Sequence, residues 1–202
     1  MLAVSVFVSG RGSNLNAILE SPELKNLIKI KAVVGDKLNC TAFDLAKKFS
    51  IPVYSVGKKE GFVSFNELGK IFKDLKIDLV VLAGFLKLVP EEFVKSFRNK
   101  IINIHPALLP SFGGSGMYGM NVHRAVFESC AQVSGATVHF VEETYDTGKI
   151  IAQRCVDISS VKSPEEIAER VLKIEHQILP FVIKKIALGK IFVDNKRVRV
   201  ES

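Results

Sequence analysis

Asn103-Ile104-His105-Pro106-Ala107-Leu108-Leu109-Pro110 is the stretch that decides how this chain folds. The apolar residues around its start, Ile101, Ile102 and Ile104, read as a strand buried on both faces. Pro106 ends that strand because it has no N–H for a ladder. On a strand, Asn103 and His105 point to the same side. A doubly buried strand belongs to a parallel sheet, and such sheets carry ligands at the carboxyl ends of their strands. An amide and an imidazole side by side at such an end suit a reaction in which a carbonyl oxygen becomes negative.

Working outward, apolar runs at Ala3–Ser9, Ile28–Val34, Val53–Val56 and Leu79–Ala83 read as four earlier strands. Segments with helical spacing separate them: Leu15, Ile18 and Leu19; Thr41 to Phe49; and Phe65, Leu68, Ile71, Phe72 and Leu75 within Phe62–Leu75. Pro90 reads as the first residue of a short helix running to Phe97. After Pro110 the pattern changes. A glycine-rich loop precedes a helix at Val122–Cys130. Strands at Ala136–Val141 and Ile150–Ile158 are close enough to pair antiparallel. Ser163-Pro164-Glu165-Glu166 opens a long helix with a capping box, kinked near Pro180 and ending at about Leu188. Ile191–Val193 and Arg197–Val200 form a terminal hairpin. The expected class is therefore α/β, a single-domain, Rossmann-like, mostly parallel sheet with an antiparallel C-terminal part.

Composition bounds the partners. The chain has 202 residues, 48% apolar and 24% charged, as in an ordinary globular domain. No apolar run reaches the roughly 18 residues of a membrane span. The apolar N-terminus has no basic stretch before it and runs into a glycine turn, so it reads as a strand and not a signal peptide. The net charge of +7 is compatible with nucleic acid, an acidic surface or a small anionic substrate. No aromatics interleave with the basic residues, against a single-strand-binding surface. Cys40, Cys130 and Cys155 are scattered and form no Cys-x-x-Cys pair. They read as reduced thiols in a cytoplasmic protein, with no metal site.

Ser9-Gly10-Arg11-Gly12-Ser13-Asn14 joins the first strand to the first helix. Glycines let the backbone approach an anion, and the helix start offers N–H donors and a positive dipole end. The third glycine of a dinucleotide fingerprint is replaced by Leu15, and no Gly-Lys-Ser/Thr follows, so a mononucleotide-sized or sugar phosphate fits best. A plain strand-to-helix turn remains an alternative. Asp146, in Asp146-Thr147-Gly148 after the sixth strand, is placed to raise the pKa of His105 and keep an imidazolium, or to move a proton through water; it can also simply form a turn. Thr137 and His139 share a strand face and read as support for the site. His123 reads as a surface residue at a helix start, and Glu175-His176 as a helix face.

These segments resemble the folate-dependent glycinamide ribonucleotide transformylases, the phosphoribosylglycinamide formyltransferase family. The resemblance rests on residues 9–14, Val81-Leu82-Ala83-Gly84-Phe85, residues 103–110, Gly135-Ala136-Thr137-Val138-His139-Phe140-Val141, residues 146–148 and Glu175-His176, and covers nearly the whole chain. It implies the formyltransferase fold over residues 1–202, with 1–100 as the phosphate-binding half and 101–202 as the catalytic and folate-binding half. It implies transfer of a formyl group from the co-substrate 10-formyltetrahydrofolate to the amine of glycinamide ribonucleotide, without a metal. Asn103, His105 and Asp146 would be catalytic. Gly12, Ser13 and Asn14 would hold the phosphate and Glu175 the ribose. Gly84 and Leu86 would line the amine side. Lys87, Leu88, Val89, Val141, Glu142, Glu143 and Asp146 would form the folate slot, with Thr137 and His139 behind.

Partners would be these small molecules, with neither nucleic acid nor membrane, in a monomer or a homodimer. Where relatives often place a phosphate contact one turn before the Glu, this chain has Leu172 and Lys173. Ser111–Asn121 is longer than in many relatives and has the composition of a mobile lid. Leu109–Pro110 is a candidate cis bond. A formyl-methionyl-tRNA formyltransferase would need a further C-terminal domain, and a formyltetrahydrofolate hydrolase an N-terminal one. A phosphate- or nucleic-acid-binding module would leave Asn103, His105 and Asp146 without a role.

Overall fold

The computed structural model describes residues 1–195 and 197–201. The chain forms two compact units, Met1–Asn103 and Ile104–Ser202. In the first, β1 (Leu2–Val8), β2 (Ile28–Gly35), β3 (Val53–Ser55), β4 (Leu79–Leu82) and the start of β5 (Ile101–His105) run parallel in the order β3-β2-β1-β4-β5. Helices α1 (Ser13–Glu20), α2 (Ala42–Lys48), α3 (Phe65–Asp74) and α4 (Glu91–Ser96) make the crossovers. Both faces of the central strands are covered: Val4, Val6, Phe7, Val8, Val80 and Val81 are all buried. This is why they read as unbroken apolar runs and not as alternating ones. Over the sheet, Phe7 meets Phe72, Phe85 and Phe93 with ring centroids 6.0, 5.2 and 6.3 Å apart. Edge and tilted approaches of this kind suit the ring quadrupoles. The strand order reverses between β1 and β4, which is where an open parallel sheet offers a ligand crevice.

The starts of α3 and α4 differ from expectation. α3 begins at Phe65, three residues later than its apolar spacing indicates. Ser64 stops it there: the Glu67 N–H donates to Ser64 Oγ (3.2 Å) and the Ser64 N–H to Glu67 Oε2 (2.8 Å). This complete capping box satisfies two otherwise orphan donors. Pro90 is not the first residue of α4 but precedes it, with ψ at 141°, outside the helical range.

The second unit holds α5 (Met120–Glu128), β6 (Val133–Phe140), β7 (Ile150–Asp157), α6 (Pro164–Ala187), β8 (Ile191–Val193) and β9 (Val198–Val200). β6 and β7 pair antiparallel, as do β8 and β9. The fold class is thus the α/β type expected, mostly parallel with antiparallel C-terminal strands. α6 packs on α5, β6 and β7 through Ile167, Val171, Ile178, Leu179, Val182 and Ile183, the buried stripe of a 3.6-residue period. Pro180 lies inside this helix, fully within its buried stripe, and the helix continues past it. The start of α6 carries only half of the expected capping box. Glu166 N–H donates to Ser163 Oγ (3.3 Å), but the Glu166 carboxylate accepts from Lys162 N–H (3.0 Å) instead of Ser163.

Candidate active site

In the first unit, the functional candidates gather where β1 and β4 end. Gly12 precedes α1 with φ at 79°, and a Cβ there would lie 2.7 Å from the Ala42 Cβ. Both conditions require glycine. The turn is anchored from α2, whose Ala42 N–H donates to Gly10 O (3.2 Å). Ser13 and Asn14 form the first turn of α1, and Asn14 is buried. A helix start in this position is an anion seat. Ser9 ties it to the next strand end, with Ser9 N–H donating to Gly84 O (3.0 Å) and Leu86 N–H to Ser9 Oγ (2.9 Å). Leu86 and Leu88 are 44% and 48% exposed, whereas Val89 is buried, so its side chain belongs to the core. Lys87 folds its Nζ onto Asp36 O at 3.4 Å. Asn103 pairs opposite Leu82 on β4.

In the second unit, two histidines flank one carboxylate. His105 Nδ1 is 3.6 Å from Asp146 Oδ2, and His139 Nε2 is 3.5 Å from Asp146 Oδ1. The other nitrogen of each ring is committed to a backbone carbonyl: His105 Nε2 to Phe112 O (2.8 Å) and His139 Nδ1 to Phe140 O (2.7 Å). A carbonyl only accepts, so both of these nitrogens carry hydrogen. A neutral His105 therefore turns its Nδ1 lone pair toward Asp146 and stands one proton short of an ion pair. The pairing register of β6 with β7 slips between Val138 and His139, a bulge of the kind that re-aims a side chain. Asp146 has φ at 56°, and its Oδ2 also accepts the Gly114 N–H at 2.9 Å.

Burial and charge act in opposite directions on the two reacting candidates. Burial pushes the His105 imidazole below its ordinary value; the Asp146 charge and the Phe112 carbonyl pull it up but do not offset that loss of solvation. Burial thus works against the charged form of this ring. Burial acts to raise the Asp146 carboxyl, but hydrogen bonds from His139 and Gly114, with the two neighbouring imidazoles, outweigh it and hold it below the usual carboxylate value.

His123 is buried, not at the surface, and its Nδ1 has no hydrogen-bond partner among the described residues. Burial, with His105 nearby, pushes it down to about 4 from an ordinary 6.5. Above pH 6.5 neither folded nor unfolded chain is protonated there. Between 6.5 and 4 the unfolded chain takes the proton and the folded chain refuses it, so stability falls as pH falls, by about 3 kcal/mol in all. His123→Leu should flatten urea-denaturation stability against pH across this window by close to one proton; an unchanged slope would show that His123 titrates normally.

Glu175 is buried on α6, so it does not occupy a solvated helix face; His176 beside it is half-buried and lowered by burial. Leu172 and Lys173 are exposed. Glu142 and Glu143 are exposed and Val141 half-buried at the start of the loop that ends at Gly148. Leu109–Pro110 is cis. Among the described residues no group of histidines, cysteines and acids could hold a metal ion, and no helix is long and apolar enough to cross a membrane. Reading the sequence missed His123, whose burial follows from Val122 and Val126 on the same helix, and Gln153, which sits opposite Thr137 across the β6/β7 pair.

Comparison with known proteins places the chain in a family. The chain belongs to the formyl transferase family, whose sequence profile matches residues 2–183. Within it, the similarity is to phosphoribosylglycinamide formyltransferases. The chain is 35% identical over 192 residues to the Bacillus subtilis protein of that name, covering 92% of this chain and 95% of that one. It is 43% identical over 193 residues to the chloroplastic phosphoribosylglycinamide formyltransferase of Arabidopsis thaliana, covering 93% of this chain and 66% of the plant protein. It thus spans about two thirds of the length of that relative. The crystal structure of the phosphoribosylglycinamide formyltransferase of Anaplasma phagocytophilum superposes with a TM-score of 0.90 at 33% identity, covering 100% of this chain and 95% of that one.

Proposed function

We propose that this chain transfers the formyl group of 10-formyltetrahydrofolate to the amine of glycinamide ribonucleotide, a step of purine biosynthesis. The observation that carries the reading is Asp146 between His105 and His139, on a chain similar along its length to enzymes of that name. The amine attacks the formyl carbon and the carbonyl oxygen becomes an oxyanion. The Asn103 amide donates to it, and so does the His105 ring. One such donor is worth about 3–4 kcal/mol. The attacking amine sheds a proton, and the folate nitrogen needs one as it departs. His105 Nδ1 is the base that lacks only this proton, and Asp146 supplies the counter-charge once it arrives. Acid–base help of this kind is worth roughly 10²–10⁴ in rate.

Gly12, Ser13 and Asn14 hold the ribonucleotide phosphate, and Glu175 the ribose hydroxyls. Gly84 and Leu86 serve the amine side. Lys87, Leu88, Val89, Val141, Glu142, Glu143 and Asp146 serve the folate, with backbone groups reading its ring where, as at Val89, the side chain is buried. We assign the cytoplasm as compartment on the three free cysteines, Cys40, Cys130 and Cys155.

The test is a formyl-transfer assay with purified chain, both substrates and no added metal; absence of ribonucleotide formylation would end the proposal. In the same assay Asn14→Ala should raise the KM for ribonucleotide about tenfold with kcat little changed, since a uniform binding contact is lost. An unaltered KM would move the phosphate elsewhere.

A further inference from the structure

The segment that leaves His105 returns to it seven residues later, when Phe112 O accepts the His105 Nε2–H. Two side chains hold the segment in between. Thr137, fully buried on β6, donates from Oγ1 to Ala107 O (2.6 Å) and accepts the Leu109 N–H (3.1 Å). Gln153, its cross-strand partner on β7, donates from Nε2 to Leu109 O (2.8 Å) and to Thr137 Oγ1 (3.0 Å). The Thr137 hydroxyl thereby uses its one proton and both lone pairs. Both backbone groups of Leu109 are fixed, and so is the Ala107 carbonyl.

Packing acts on the same residues. Leu108 Cδ2 lies 2.8 Å from where a Gly135 Cβ would be, and Leu109 Cδ2 lies 2.5 Å from where a Gly113 Cβ would be. Phe112 itself is left-handed, with φ at 55°. That is an unfavourable conformation for an aromatic residue, and it persists only where its surroundings impose it. One residue beyond Gly113, the Gly114 N–H reaches Asp146. The segment thus delivers one carbonyl to His105 and one N–H to the carboxylate facing it.

We propose that Gln153, acting through Thr137 and Leu109, is a positioning residue for this site: it braces residues 107–112 so that Phe112 O stays on His105 Nε2 and the ring keeps a single tautomer, with Nδ1 toward Asp146. The proposal rests on the reading of His105 as a reacting group. The hydrogen bonds of Gln153 go to Leu109 O and Thr137 Oγ1 and not to the imidazole or Asp146, and its own exposure makes substitution there mild for folding. Gln153→Met keeps the length of the side chain and removes the donors. Gln153→Glu keeps the shape and sets a carboxylate against Leu109 O and a hydroxyl already committed as a donor.

The experiment compares both variants of the full chain with the native protein by steady-state kinetics and by ¹⁵N NMR of the histidine rings. Gln153→Met should lower kcat about tenfold and Gln153→Glu about 10²-fold, the scale of misplacing a reacting group by a fraction of an ångström to 1 Å. The KM for ribonucleotide should stay within roughly twofold. The His105 nitrogens, a pure Nε2–H pattern in the native protein, should move toward a tautomer mixture. A folded Gln153→Met protein with native His105 shifts would overturn the brace. Changed shifts with native kcat would uphold the brace and remove His105 from the chemistry, so the two failures read differently. A lowered Tm with neither change would mark a merely structural contact and also overturn it.

Discussion

Asp146→Asn should lower kcat by roughly 10³–10⁴-fold while the affinity for ribonucleotide changes less than about twofold. The substitution is clean in shape. Asp146 sits at φ 56°, a left-handed conformation that asparagine adopts as readily as aspartate. One carboxylate oxygen accepts the Gly114 N–H and faces His105, and the other faces His139. An amide can leave an oxygen at only one of these places and must set an NH₂ at the other. It also removes the charge. His105 is already held below its ordinary value by burial, and Asp146 is the main influence pulling it up. Without that charge, a proton reaching Nδ1 has no counter-ion in a buried site, and the relay step loses its driving force. Single-turnover rates with calorimetric titration of ribonucleotide separate the two quantities. A native rate in this variant would exclude Asp146 from the mechanism, and a parallel loss of affinity would place it against the ribonucleotide instead.

The second large effect is expected from a methyl group. Gly148→Ala would set its Cβ 1.8 Å from Phe140 O and 2.7 Å from the Phe140 carbonyl carbon, both backbone atoms at the end of β6. Main chain cannot step aside as a side-chain tip can. Phe140 O is also the acceptor for His139 Nδ1–H, and Phe140 N–H donates to Lys149 O (2.9 Å). The clash therefore forces apart the two ends of the loop that carries Asp146. A loss on the order of 2–4 kcal/mol is expected, which for a chain of this size lowers Tm by roughly 5–15 °C. Activity of the remaining folded protein should fall as well, because Asp146 is two residues away. Thermal unfolding and kinetics at low temperature measure both. A variant with native Tm and native kcat would show that the loop accommodates a side chain and that its tight closure has no part in holding Asp146.

Much of this molecule is legible in its residues. The span of β5 follows from Ile101 and Pro106, since an apolar run ended by a residue with no N–H allows little else. The parallel arrangement follows from strands without polar alternation and from helices between them. The start of α6 follows from Ser163 and Pro164. Local rules also carried information that spacing concealed: Ser64, with Glu67 three residues on, marks the start of α3 better than the apolar period that begins at Phe62. The half-formed box at Ser163 shows the limit of such rules. Glu166 has two N–H groups within reach, and choosing between them depends on the path of the chain before the helix.

Residue types and their order settle which chemical groups this chain can bring to a reaction: an amide, an imidazole and a carboxylate, with a glycine turn suited to a phosphate. Their charge and direction come from contacts distant along the chain. His105 is held below its ordinary value by what buries it, and one ring nitrogen is committed to a carbonyl on a segment held through Thr137 and Gln153. His123 is depressed for the same cause, although its position at a helix start looks exposed. Desolvation depends on everything packed around a group, and a hydrogen bond on ångström placement of its partner. Neither is a property of neighbours in sequence, so both arise only when the chain has folded.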